Sequence, residues 1–172
     1  PSLVRVTARL MARITQRPVQ HGWYVFTATD TQWDVVMAVL SGRHRPAIRV
    51  TIPEGLTYRE IAGILSQKAE IDSSAFVAWC ENDSVVKKYT HDAPSMEGYL
   101  SPNTYDVLWR DEAGAIGERL ATELQTVWGS LDTEGSRKEI LTLASIVQAE
   151  AANVSEMPKI AGVYANRLKR GM

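Results

Sequence analysis

Apolar residues recur at helical spacing over residues 136–152, and this stretch is the clearest element that the sequence predicts. Ser136 and Glu139 stand three positions apart, the pattern of a capping box at a helix start. The apolar stripe consists of Ile140, Leu143, Ala144, Val147 and Ala151. Leu141 and Ile146 lie off this stripe, so we expect the helix to be buried nearly all round.

Two polar residues, Gln148 and Glu150, lie within this apolar helix. At roughly 100° per residue they fall on opposite edges of the stripe, so they can hardly serve one site together. An unpaired buried polar atom destabilises a fold by about 1–3 kcal/mol, so a carboxyl here needs a partner. A polar residue at the edge of a core helix remains an alternative interpretation at this point.

The rest of the chain predicts strands alternating with amphipathic helices. The expected elements are a helix or strand over 3–14, strands over 21–27 and 47–52, helices over 31–42, 57–65, 72–82 and 115–129, and a last helix from 155, with Ile160, Val163, Tyr164 and Leu168 inward and Gly171 closing it. A weak repeat relates the strand–helix unit at 24–40 to that at 49–65. It is either the ordinary likeness of two such units or the mark of a compact module comparable to small glycan-binding domains.

Composition narrows the function classes without choosing among them. A formal net charge of −1 on 172 residues gives no electrostatic case for nucleic acid. The single cysteine excludes an internal disulfide, and the three histidines show no ligand spacing, so we expect neither metal nor cofactor. No apolar run approaches ~18 residues, so the sequence predicts no transmembrane helix. Because it begins at Pro1 and stops at Met172, we expect both ends to be cut.

Residues 90–105 combine prolines, a glycine and two tyrosines with Glu97 and Asn103, which indicates an ordered loop rather than a linker. Such a loop suits a carbohydrate, whose C–H faces stack on aromatic rings while its hydroxyls bind polar groups. The alternative is a structural turn whose tyrosines lie in the core.

Three segments in order, 96–105, 143–151 and 161–172, resemble the endolytic murein transglycosylase family, the YceG-like proteins. They read MEGYLSPNTY, LASIVQAEA and AGVYANRLKRGM. Residues 50–57, reading VTIPEGLT, also resemble the N-terminal module of that family, which is similar to LysM. Each motif is weak by itself, but the three together at these spacings are specific.

The resemblance implies an α+β fold with a small LysM-like strand–helix module over 1–70. A mainly helical catalytic domain over 71–172 would follow it, truncated at its C-terminus. It implies a lyase that cuts the MurNAc–GlcNAc bond of nascent peptidoglycan without water and leaves 1,6-anhydro-MurNAc ends. The expected place is the outer face of the bacterial cytoplasmic membrane, with a membrane anchor upstream of this chain. The expected partners are glycan strands and peptidoglycan synthases.

The family's catalytic glutamate falls at Glu150, which the resemblance makes the general acid/base. Burial on the apolar helix would raise the pKa of such a carboxyl and keep it protonated. The family often has a second Glu at the position of Gln148, but an amide can neither deliver nor usefully accept a proton. Glu97 is the alternative carboxyl.

The resemblance also suggests residues that contact the glycan. The proposed substrate-binding residues are Glu97, Tyr99, Asn103, Tyr105, Asn166 and Arg167. Asn166 and Arg167 could instead fix the groove by hydrogen bonding between helix and loop. Ser101 and Asn103 depart from the family, which usually has an aromatic residue and Asp there; these changes remove a stacking ring and a charge.

Two other functions remain open at this stage. One is a non-catalytic peptidoglycan-binding or scaffold protein that works through the repeat, and the other is a muramidase that uses water. Because the family's domain normally continues beyond Met172, we expect this chain to be weakly active or inactive alone.

Overall fold

The computed structural model describes residues 2–16, 19, 22–90, 93–131 and 136–171, and it has an α+β fold. The helices are α1 (Ser2–Thr15), α2 (Gln32–Ser41), α3 (Tyr58–Ala69), α4 (Ser73–Cys80), α5 (Asp83–Tyr89), α6 (Ala113–Gly129), α7 (Arg137–Glu150) and α8 (Met157–Lys169), with a 3₁₀ turn at Val154–Glu156. The strands are β1 (Ala47–Ile52) and β2 (Asn103–Leu108). The α+β class predicted from the sequence is confirmed in this coarse form.

Strands β1 and β2 form an antiparallel pair in which Val50 lies opposite Tyr105. Their inward side chains are buried, while Arg49 and Asp106 form an exposed ion pair on the other face. The alternation of β1 was predicted from its sequence, whereas β2 was not predicted. The strands come from either side of residue 70, so the sheet joins parts of the chain that precede and follow that position.

The largest core lies between this sheet and helices α3, α4 and α6. Its fully buried side chains include Leu65, Phe76, Met96 and Leu120. A smaller cluster packs α1 against α2 through Ala8, Val36 and Leu40. The core therefore fixes the β1–α3 turn and the loop before β2, which together form one wall of the groove described below.

Side-chain caps mark the starts of α2, α3, α4 and α5. Thr57 and Glu60 form the predicted capping box, in which the Thr57 N–H donates to the Glu60 carboxylate at 2.8 Å. Asp72 caps α4 by accepting the backbone N–H groups of Ser74 and Ala75. Helix α7 also begins after Ser136, but the Ser136 side chain makes no capping hydrogen bond. The capping box predicted there is wrong.

The strand predicted over 21–27 is also wrong for the residues that the structure describes. His21 lies outside them, and residues 23–27 are irregular. The segment joins the fold through the Val25 N–H, which donates to the His44 carbonyl at 3.0 Å. Its aromatic side chains favour a strand, but residues 23–27 pair with neither β1 nor β2. The predicted strand–helix repeat is therefore absent from the described part of the chain.

Helices α7 and α8 are more exposed than the sequence predicted. Val147 is the one buried residue of α7, whereas Ile146 is 37% exposed. On α8, Val163 and Leu168 were expected inward but are 50% and 68% exposed. The two helices pack on each other, and Leu141 joins α7 to the main core. Each helix therefore keeps an apolar face in contact with solvent.

Within the described ranges, no helix combines the length and the apolarity that crossing a membrane would require.

Candidate functional site

Glu150 is the last residue of α7, and its side chain is exposed. The Tyr164 hydroxyl, on α8, donates a hydrogen bond to Glu150 Oε1 at 3.3 Å. The sequence predicted a buried carboxyl, and this expectation is wrong because the end of α7 projects beyond the core. The arrangement leaves a carboxyl that solvent and a ligand can reach, with one phenol that orients it.

The short connection between α7 and α8 sets this geometry. The backbone N–H of Ala152 donates to the Glu156 carboxylate at 3.2 Å, which closes the turn before α8. Pro158 stands in the first turn of α8, where its missing N–H leaves no hydrogen bond unmade. The turn brings α8 back along α7, so that Tyr164 reaches Glu150.

Of the two predicted site residues on α8, Arg167 lies close to this pair. The Arg167 guanidinium lies over the Tyr164 ring, 5.8 Å from its centroid. The Asn166 side chain is exposed and makes no hydrogen bond to any other residue that the structure describes. The structure therefore brings Glu150 and Arg167 to the same side chain, that of Tyr164. Among the described contacts, none links the Asn166 side chain to Glu150 or Arg167. Sequence reasoning missed Tyr164 as a site residue because its helical spacing indicated a core position.

An open groove of about 560 Å³ runs along the other edge of α7. Helix α7 contributes Ser145, Gln148 and Ala149 to it. The opposite wall consists of the β1–α3 turn and the loop before β2, with Pro53, Glu54, Gly55, Gly98, Leu100 and Pro102. Glu150 is not among the residues that line this groove.

The predicted loop residues lie beside the groove wall rather than on it. Tyr99 and Tyr105 are both buried. The Tyr99 hydroxyl accepts a hydrogen bond from the Thr90 hydroxyl at 3.0 Å, and the Tyr105 hydroxyl donates one to the Ser101 carbonyl at 2.8 Å. Burial raises the pKa of Tyr105. The tyrosines hold the loop in shape, while residues 98, 100 and 102 of the same loop reach the groove.

The other two predicted loop residues also serve the fold. The Glu97 carboxylate accepts the backbone N–H of Tyr58 at 3.2 Å, at the start of α3. A carboxylate is favoured there because the first turn of a helix has free N–H groups and a partial positive charge. The Asn103 side chain accepts the N–H of Thr104 at 2.7 Å. Both side chains are exposed, but neither lines the groove.

A second groove, of about 610 Å³, lies between α7 and α8. Leu143, Ile146, Tyr164 and Leu168 line it together with polar residues from the start of α7. Helix α7 therefore separates two grooves. Gln148 lines the first, and Tyr164, the partner of Glu150, lines the second. This agrees with the prediction that Gln148 and Glu150 point to different sides.

Comparison with known proteins gives consistent matches along almost the whole chain. The family model described as the YceG-like family matches residues 2–172. A protein of Streptococcus pneumoniae named endolytic murein transglycosylase is 29% identical over 169 residues, which cover 84% of this chain and 29% of that protein. A Bacillus subtilis protein of the same name is 23% identical over 158 residues, which cover 80% of this chain and 44% of that protein.

A solved structure supports the fold. The crystal structure of a YceG-like protein from Listeria monocytogenes superimposes with a TM-score of 0.59 at 19% identity, covering 97% of this chain and 62% of that one. At this identity the match supports the fold alone. The chain spans less than half the length of the two named relatives.

Proposed function

Because the chain belongs to the YceG-like family, we propose that it carries the acid/base of an endolytic murein transglycosylase. Its substrate would be nascent peptidoglycan in the bacterial cell envelope, where it cuts the MurNAc–GlcNAc bond within a strand. The names of its relatives support murein as the substrate class. An anchor in the cytoplasmic membrane and peptidoglycan synthases as partners belong to the same proposal.

In the proposed reaction one carboxyl performs both proton transfers. The Glu150 carboxylic acid protonates the glycosidic oxygen as the bond from muramyl C1 to that oxygen breaks. The resulting carboxylate then takes the proton from the muramyl 6-hydroxyl, whose oxygen bonds to C1 and closes the 1,6-anhydro ring. No water is consumed, and no second carboxylate acts as nucleophile, unlike in the two-carboxylate glycosidases. General acid–base help of this kind contributes about 10²–10⁴-fold to a rate.

The observation that best supports this role is the accessibility of the Glu150 carboxyl. It lies at an exposed helix end, and its hydrogen bond from Tyr164 orients a carboxyl that a glycan can approach. We propose that Arg167 and Asn166, on the same helix as Tyr164, bind sugar hydroxyls or a peptide carboxylate. Glu97, Tyr99, Asn103 and Tyr105 would act from the loop, where the two tyrosines support the groove wall rather than stack on sugar.

We propose the division that the sequence predicts, a LysM-like module over 1–70 followed by the first part of a catalytic domain over 71–172. The β1–α3 turn of the first part and the loop before β2 in the second form the groove wall opposite α7. Because relatives are much longer, we propose that the chain alone is weakly active or inactive.

The test compares Glu150→Gln with the unmodified protein in a peptidoglycan digest, using the complete gene product that contains this sequence. Glu139→Gln is the matched control, since it changes an exposed glutamate in the first turn of the same helix. Mass spectrometry should find 1,6-anhydro ends with the unmodified protein and the control, and at least 10²-fold fewer with Glu150→Gln.

Two other outcomes would contradict the assignment. Equal anhydro ends from both proteins would move the chemistry from Glu150 to another carboxyl, with Glu97 tested next. No cleavage by either protein, with glycan binding retained, would favour the non-catalytic scaffold.

A further inference from the structure

We propose that the groove beside α7, the Gln148 groove, binds the N-acetyl group of a neutral sugar, and that Gln148 recognises it. The inference rests on the proposed function and adds what this groove selects. Nothing in the resemblance assigns a role to the glutamine, which cannot act as the acid/base. The two edges of α7 would then divide the work, with chemistry at Glu150 and recognition at Gln148.

The polar chemistry of the groove matches a secondary amide. Gln148 lines the groove and is exposed, and its side-chain amide makes no hydrogen bond to another residue in the described part of the chain. Its side-chain amide offers two donors and a carbonyl acceptor. An acetamido group needs one of each, a donor for its C=O and an acceptor for its N–H. Ser145, one turn before Gln148, already donates its hydroxyl to the Thr142 carbonyl at 2.8 Å.

The apolar lining of the groove suits the non-polar parts of an N-acetylated sugar. Ile52, Leu100 and Leu141 provide apolar surface against which an acetyl methyl and sugar C–H groups can pack. The walls include Gly55 and Gly98, whose φ angles of +80° and +78° favour glycine. No atom lies within 4 Å of where a Cβ would stand at either position, so the groove is open there. Backbone therefore forms this part of the wall and leaves room for a ring.

The charge of the groove argues for glycan and against stem peptide. Among the described residues that line it there is no Lys or Arg, and Glu54 is the one charged residue. Peptidoglycan stem peptides end in carboxylates, which Glu54 would repel and no cation would hold. A neutral N-acetylated sugar meets no such repulsion. The groove should therefore prefer neutral GlcNAc units to MurNAc units that carry a stem peptide.

The test is titration of the 172-residue chain with a neutral GlcNAc tetramer, followed residue by residue by NMR. We expect shifts at residues 53–55, 98–102 and 145–149, and a dissociation constant about tenfold higher for Gln148→Leu, because two hydrogen bonds are lost. Gln67→Leu, an exposed glutamine of α3 outside the groove, should bind like the unmodified chain. The exposed site predicts unchanged melting for Gln148→Leu, which separates recognition from folding.

A second comparison tests the charge argument. A GlcNAc–MurNAc disaccharide carrying a stem peptide should bind several-fold more weakly than a neutral disaccharide of GlcNAc, and Glu54→Gln should reduce that difference. Unchanged affinity in Gln148→Leu, shifts confined to other surfaces, or tighter binding of the peptide-bearing sugar would each overturn the inference. If the sugar binds as expected but the digest shows no anhydro ends, the proposed function fails while this inference stands.

Discussion

Gly117 of α6 lies against Trp79 of α4, and replacing it tests the packing of the main core. A Cβ built at Gly117 would overlap Trp79 Cε3 and would lie 2.5 Å from Trp79 Cζ3. Ordinary contacts of this kind begin near 3.4 Å, so the indole or the helix would have to move by about 1 Å. We therefore expect Gly117→Ala to destabilise the fold.

The magnitude follows from two opposing effects. Alanine in place of glycine favours a helix interior by about 1 kcal/mol. Overpacking a well-filled core destabilises by about 1–3 kcal/mol, and the indole of Trp79 is stiff and held by Phe76 and Tyr89. The net expectation is a loss of about 1 kcal/mol in the free energy of unfolding.

Gly63→Ala on α3 is the matched control, because no atom lies within 4 Å of its Cβ position. It should gain about 0.5–1 kcal/mol from helix propensity alone. Urea unfolding followed by circular dichroism would measure both variants. If Gly117→Ala were as stable as Gly63→Ala, the close contact between Gly117 and Trp79 would not exist.

Three further predictions concern caps, the buried thiol and the site. Thr57→Ala should lower the free energy of unfolding by about 1 kcal/mol by removing the capping box, while Thr126→Ala, on exposed α6 surface, should change it little in the same urea assay. Burial raises the pKa of Cys80 from 9.0 to about 12, so a thiol reagent at pH 8 should label it only on unfolding. Because burial disfavours the thiolate, the free energy of unfolding should be unaffected by Cys80 below pH 9 and should fall between pH 9 and about pH 12. Fast labelling of the native chain at pH 8 would contradict the burial of this thiol. Tyr164→Phe in the complete gene product should lower the rate of anhydro-end formation about five- to tenfold without lowering Tm, because one hydrogen bond to Glu150 is lost; an unchanged rate would remove Tyr164 from the site.

Local signals in the sequence predicted the elements whose causes are local. The Thr57–Glu60 capping box and the alternation of Ile48, Val50 and Ile52 each depend on neighbours along the chain, and both were confirmed. Strand β2 shows the same alternation at Tyr105 and Val107, but its neighbouring prolines and glycine indicated a loop. Its strand conformation depends on pairing with β1, far away in the sequence.

Burial was harder to predict than secondary structure. The apolar residues of α7 and α8 indicated core positions, yet Leu168 is largely exposed because few other elements pack on these helices. The same effect exposes Glu150. In the loop before β2, the chemically obvious residues Tyr99 and Tyr105 face the core, and less distinctive neighbours face the groove. Tertiary packing decides which side of a loop faces outward. An irregular segment has no periodic pattern of apolar residues from which that side could be predicted.

Under the proposed function, this chain carries the acid/base of a reaction that cuts murein without water. The most direct measurement is a digest of peptidoglycan by the complete gene product in ¹⁸O-enriched water, with the new glycan ends analysed by mass spectrometry. The proposed reaction predicts 1,6-anhydro-MurNAc ends that contain no ¹⁸O, because the sugar's own 6-hydroxyl closes the ring. Reducing ends that carry ¹⁸O would show hydrolysis and contradict the claim.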